Sequence, residues 1–115
     1  IIASGANACV LHYVTNDAPC NDGDMLLLDV AARYGNYNAD LTRTIPVNGR
    51  FTDRQRAVYN AVLRVFRACI QMLRPGVIIH DYQKEVGKLM ESELIGLGLL
   101  LAFPQMALWL PTVLR

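Results

Sequence analysis

Two aspartates carry the strongest chemical signal in the sequence. Asp29 closes the apolar run of residues 25–28, and Asp40 follows a turn-like Tyr34-Gly35-Asn36. Read as a hairpin centred between Tyr34 and Gly35, residues 23–44 set Asp29 directly opposite Asp40. Opposed residues share one sheet face, with Cβ atoms roughly 4.5–5.5 Å apart. Like charges at that spacing repel, and a carboxylate in an apolar strand is costly to desolvate without a partner. A bound cation removes both penalties. The alternatives are neutralisation by an arginine such as Arg33 or Arg43, or a shifted register that turns one aspartate to water.

His12 supplies a third polar group one segment earlier, either for such a site or as a structural histidine bonded to backbone. Thr42 lies two residues beyond Asp40 and so on the same strand face. It can bond a metal-ligating carboxylate as a supporting partner, or it is simply a strand threonine. Arg43 alternates to the other face. His80 reads as a helix-entry or surface residue, and Glu91 and Glu93 read as solvated. No nucleophile elbow, phosphate-binding glycine loop or reactive-cysteine signature is present.

The elements that must position these groups follow from punctuation and periodicity. Residues 1–8 are small and apolar, with Gly5 and Asn7 as turn formers. Residues 9–14 are β-rich and predict a strand carrying His12. Residues 15–24 form a loop rich in turn residues. The first hairpin strand is almost wholly apolar, which predicts cover on both faces. The second ends near Ile45, because Pro46 lacks a ladder donor. Asn48-Gly49 makes a further turn. Thr52-Asp53-Arg54-Gln55 is a capping box that opens a helix from Asp53 to about Leu73. Val58, Val62, Val65, Phe66, Cys69, Met72 and Leu73 form its apolar stripe. Arg74-Pro75-Gly76 ends it. A second helix is predicted from about Asp81 to Gly96 or Gly98, with Tyr82, Val86, Leu89, Met90 and Leu94 inward.

Composition bounds the rest. The chain has 115 residues, 53% hydrophobic and 18% charged, with a formal net charge of +1. That balance, without a Lys/Arg cluster, argues against nucleic acid or an anionic membrane as partner. Gly, Pro or Asp interrupts every apolar run before the roughly 20 residues a membrane helix needs. Cys9, Cys20 and Cys69 are widely spaced and odd in number, as reduced thiols of a cytoplasmic protein would be. Ile1 opens no signal peptide, and the chain reads as beginning inside a domain.

The motifs CVLHY at 9–13, GDMLLLD at 23–29 and YNADLTRTIPVNGRFT at 37–52, then Gln55, Ala57-Val58-Tyr59 and Arg74-Pro75-Gly76, resemble the Xaa-Pro aminopeptidase (aminopeptidase P) family of pita-bread metallopeptidases. Prolidase is close. The resemblance covers residues 1–100 and implies an α+β fold. That fold is the N-terminal half of a pita-bread catalytic domain, with a curved antiparallel sheet backed by two helices. It implies two divalent metal ions, commonly manganese, with a hydroxide between them as nucleophile. On matching positions Asp29 chelates one ion, Asp40 bridges both, and His12 lies by the scissile bond and stabilises the reacting carbonyl. The implied substrates are peptides with proline second, from which the N-terminal residue is released.

The family completes its site with a later His and two Glu. No His follows His80 here, and the apolar residues 101–115 do not match the family. The expectation is a truncated piece, catalytically inactive alone, whose uncovered sheet face drives homo-oligomerisation. A metal-free pita-bread module that binds a peptide or protein is the reading from another class.

Overall fold

The computed structural model describes residues 1–102. The expected apolar tail, residues 101–115, lies almost wholly outside them. The chain forms two compact units, one spanning Ile1–Thr52 and one beginning at Asp53.

The first unit is built on a three-stranded antiparallel sheet of order β1-β2-β5, from β1 (Ile2–Ser4), β2 (Met25–Val30) and β5 (Leu41–Pro46). The short strands β3 (Arg33–Tyr34) and β4 (Tyr37–Asn38) pair as a two-stranded extension of the hairpin. Strand β1 was not anticipated. It aligns Ile2, Ala3 and Ser4 with Leu28, Leu27 and Leu26. One face of the sheet then carries Ala3, Leu27, Asp29, Thr42 and Thr44. The other carries Ile2, Leu26, Leu28, Val30, Leu41, Arg43 and Ile45. Ala3 and Ser4 are buried at 1% and 6% exposure. The expected cover on both faces of β2 is not seen in this unit, where Met25–Val30 is half-buried to exposed.

The hairpin register differs from the expected one. Gly35 and Asn36 both take positive φ, 53° and 69°. They are the two central residues of a type I′ turn, whose twist matches that of the flanking strands. Tyr34 therefore opposes Tyr37, and Arg33 opposes Asn38. The centre lies between Gly35 and Asn36, one residue beyond the expected point. Asp29 consequently pairs with Thr42, not with Asp40.

The predicted strand at residues 9–14 is also replaced. A 3-10 helix (Gly5–Cys9) is followed by a turn through Leu11 and His12. Gly5 at φ 56° redirects the chain, and the Val10 amide closes onto the Asn7 carbonyl at 3.0 Å. These local bonds win because β-propensity needs a paired neighbour to be realised, whereas Val10 and Leu11 stay 53% and 91% exposed.

The second unit contains α1 (Asp53–Met72) and α2 (Ile79–Ala102). Helix α1 matches its expected span. Pro75 and Gly76 form the turn that follows, with Gly76 at φ 90° and the Val77 amide donating to the Arg74 carbonyl. Helix α2 starts two residues early and runs through both Gly96 and Gly98. A helical glycine costs only about 1 kcal/mol, which leaves these two too weak to stop a leucine-rich turn. Val58, Ala61, Val62 and Val65 of α1 line an apolar groove with Met90, Leu94 and Leu97 of α2. Ala61, absent from the expected stripe, is the buried residue of α1 at 4% exposure. Glu93 is not free in solvent: Arg64 grips both its carboxylate oxygens, with Nη2 at 2.7 Å. Among the described residues no helix is long and apolar enough to cross a membrane.

Candidate functional site

The face of the sheet that bears Asp29 holds the candidate site. Asp29 sits in the middle strand, locked by reciprocal backbone bonds to Ile1 of 2.8 and 2.9 Å. Its side chain is half-buried. Directly across the ladder, the Thr42 hydroxyl donates to Asp29 Oδ1 at 3.0 Å. Thr42 was expected to support a ligating carboxylate, and the carboxylate it bonds is Asp29. The corrected register produces this contact, because opposed side chains meet and strand neighbours do not.

Asp40 stands just before β5, two positions from Thr42. It is thus on the diagonal from Asp29, a separation of roughly 7–8 Å between opposed strands. The hairpin ladder reaches this point, since the Ala39 amide bonds the Ala32 carbonyl at 2.8 Å. Asp40 is exposed. Arg43 points its Nη1 to the Thr42 carbonyl at 2.8 Å. Two ion pairs, Arg64–Glu93 and Lys88–Glu85, lie in the helical unit.

His12 reaches the same face from the turn after the 3-10 helix, at φ 56°. A pocket of about 160 Å³ is lined by Ala3 and Leu27 of the sheet, Val10 and Leu11 of the turn, and by His12, Asp29 and Thr42. Three of the four expected site residues thus share one pocket, and Asp40 lies outside its lining. Val10 and Leu11 were missed as lining residues because they were read as strand. Gly5, followed so soon by Asn7, was the signal for a turn. Next to His12, the Tyr13 hydroxyl donates to Asp17 Oδ1 at 2.8 Å, and this bond holds the Asp17 carboxyl below its usual range. His80 is the second residue of α2 and exposed, as expected.

The donor set fits a hard divalent cation in type, since carboxylate oxygens suit such ions. It does not complete a site in number. Among the described residues no group of three or more His, Cys, Asp or Glu is close enough to hold an ion.

The match to known proteins defines the class. The model of metallopeptidase family M24 matches residues 1–106, and the chain belongs to that family. A Xaa-Pro aminopeptidase of Haemophilus influenzae is 44% identical over 100 residues, covering 87% of this chain and 23% of the relative. Zinc-substituted Escherichia coli aminopeptidase P in complex with product superposes with a TM-score of 0.77 at 38% identity, over 91% of this chain and 26% of that one. Icp55 of Saccharomyces cerevisiae gives a TM-score of 0.81 at 41% identity, over 85% and 25%. The fold is therefore α+β and part of the pita-bread architecture. The chain spans about a quarter of the length of these relatives.

Proposed function

We propose that this chain supplies part of the catalytic domain of a metal-dependent aminopeptidase acting on peptides with proline second. The observation that carries the reading is the Thr42–Asp29 pair facing His12 across one pocket, in a chain 44% identical to a Xaa-Pro aminopeptidase.

Asp29 and Asp40 would hold divalent cations, two of them and manganese by the family resemblance. When bound, such ions activate water and polarise the scissile carbonyl. The residues of this chain do the rest of what is visible. Thr42 fixes the Asp29 carboxylate by donating to Oδ1, leaving its orientation set before any ion arrives. The Asp29 backbone cannot shift, because β1 and β5 pair with β2 on either side. The His12 imidazole is presented from a turn, where it can hydrogen-bond a substrate carbonyl. Val10, Leu11 and Leu27 wall the pocket with apolar surface and thin the water around it.

With two acidic ligands and no third among the described residues, the 115-residue chain holds metal weakly and does not turn over alone. Residues 1–100 act as one half of the catalytic domain. Free thiols at Cys9, Cys20 and Cys69 support a cytoplasmic location. Ile2, Val30, Leu41 and Ile45, half-exposed on one sheet face, support self-association.

A chimera tests the activity. This chain replaces the equivalent segment of the Haemophilus influenzae relative, and release of the N-terminal residue from a Xaa-Pro tripeptide is measured with and without manganese. Manganese-dependent release by the chimera, and none by the chain alone, is the expected result. Cleavage confined to Xaa-Pro dipeptides would reassign it to prolidase. A chimera that folds but holds no metal would leave a peptide-binding module.

A further inference from the structure

His12 lies on a segment that leaves β1 at Gly5 and returns to the same strand at Asn16, and each end is held by one polar side chain. At the departure, the Ser4 hydroxyl donates to Asp24 Oδ2 at 3.1 Å in a part-buried setting. The same carboxylate accepts from the Asn21 amide and side chain at 3.3 and 3.2 Å. Asp24 also backs directly onto Gly5. A Cβ built there would stand 3.1 Å from all three carboxylate atoms, and Gly5 is at φ 56°. Asp24 is itself anchored, since its carbonyl accepts from the Val47 amide at 2.9 Å.

At the return, Asn16 Oδ1 accepts from the Ile2 amide. Ile1 turns its bonds toward β2, so alternation along an antiparallel strand turns the Ile2 amide outward to the open edge of β1. Asn16 meets it in place of a fourth strand. Its φ of 51° is one that asparagine tolerates better than most residues, and its Nδ2 donates to the Val14 carbonyl at 2.9 Å.

We infer that Asp24 and Asn16 are positioning residues for His12: Asp24 holds Ser4, the β1 residue from which its segment departs, and Asn16 ties the far end of the segment back to Ile2. The inference rests on the role proposed for His12, but its first readout does not. A twelve-residue excursion closed at one end only would swing about that end, and the turn at Leu11 and His12 has no strand partner to steady it. The contacts at Ile2 and Ser4, at either end of β1, remove that freedom. The three-stranded sheet thereby carries His12 through β1, Asp29 on β2 and Thr42 on β5.

The test follows the imidazole signals of the full chain by NMR. His80, in the helical unit, serves as internal reference, and His12→Gln assigns the pair. Asn16→Gly keeps the left-handed backbone and removes the clamp. It is expected to shift and broaden the His12 signals while His80 stays in place. Asn16→Asp retains the acceptor and is expected to restore the wild-type signal. Asp24→Ala should act as Asn16→Gly does, and Asp24→Asn should restore in part. Should Asp24→Ala fail to fold, Ser4→Ala probes the same end. An unchanged His12 signal in folded Asn16→Gly and in the folded variant at the Asp24 end overturns the clamp. In the chimera, clamp variants should lower kcat more than they raise KM. His12 signals that move while turnover is unaffected would uphold the clamp and overturn the catalytic reading of His12.

Discussion

Residues Ile1–Thr52 are held by single polar contacts at particular points, and the helical unit by a pattern repeated along its length. In the sheet unit Thr42 bonds Asp29, Ser4 bonds Asp24, Asn48 bonds Asp22 at 2.6 Å, and Asn16 caps the edge of β1. Each contact fixes one place. In α1 and α2, by contrast, Val58, Ala61, Val62 and Val65 meet Met90, Leu94 and Leu97 along a shared groove. Loss of any one leaves the others in register. The difference suits the work. A site needs atoms placed within fractions of an ångström, and pinned side chains on a paired backbone give that. A scaffold needs only sufficient apolar burial.

The sharpest way to break this contrast is Asp29→Ala. In the chimera it should abolish manganese binding and turnover, a larger loss than the roughly 10–100-fold that removing a supporting partner costs. Helicity by far-UV circular dichroism should be unchanged. Retained metal, measured by calorimetry, would show that Asp29 is a structural residue with no more claim to the site than Ala61.

Thr42 sharpens the same point at smaller scale. Thr42→Val keeps the strand shape and deletes the hydroxyl that reaches Asp29 Oδ1. Manganese affinity should fall by about 10–100-fold, and Thr42→Ser should recover most of it. Equal affinity in both variants would mean that the ladder alone orients Asp29.

How far the fold was legible in the sequence divides along the same line. Helix α1 could be read closely because a 3.6-residue period repeats over many turns, and one misjudged position such as Ala61 does not move the rest. The hairpin could be recognised, but its register hung on a single choice. Tyr34-Gly35-Asn36 offers two centres one residue apart, and only the left-handed φ of both Gly35 and Asn36 decides between them. That choice moved the partner of Asp29 from Asp40 to Thr42. Asp40, just before β5, becomes a diagonal neighbour of Asp29 in place of its direct partner. His12 was legible from its motif and not from its surroundings. Its segment is shaped by side-chain contacts of Asp24 with Ser4 and of Asn16 with Ile2, 20 and 14 residues apart in sequence, and no periodicity announces such contacts.

The smallest expected effect tests the helical unit on its own terms. Arg64 donates from Nε and Nη2 to Glu93, and this bidentate bond holds the Glu93 carboxyl below its ordinary value of 4.5. Because the folded pKa is depressed, the stabilisation is present above the ordinary value and is lost as pH falls through the lower, folded one. Arg64→Ala should therefore melt slightly below wild type near neutral pH, and the two curves should converge in acid. High salt should narrow the gap as well, since the Arg64 side chain is 59% exposed and its charge is screened. A gap that persisted in acid and in salt would show that Arg64 acts through the packing of its aliphatic stem along the groove, not through its charge. The charge of the Arg64–Glu93 pair would then contribute nothing to the helical unit, which sharpens its difference from the sheet unit.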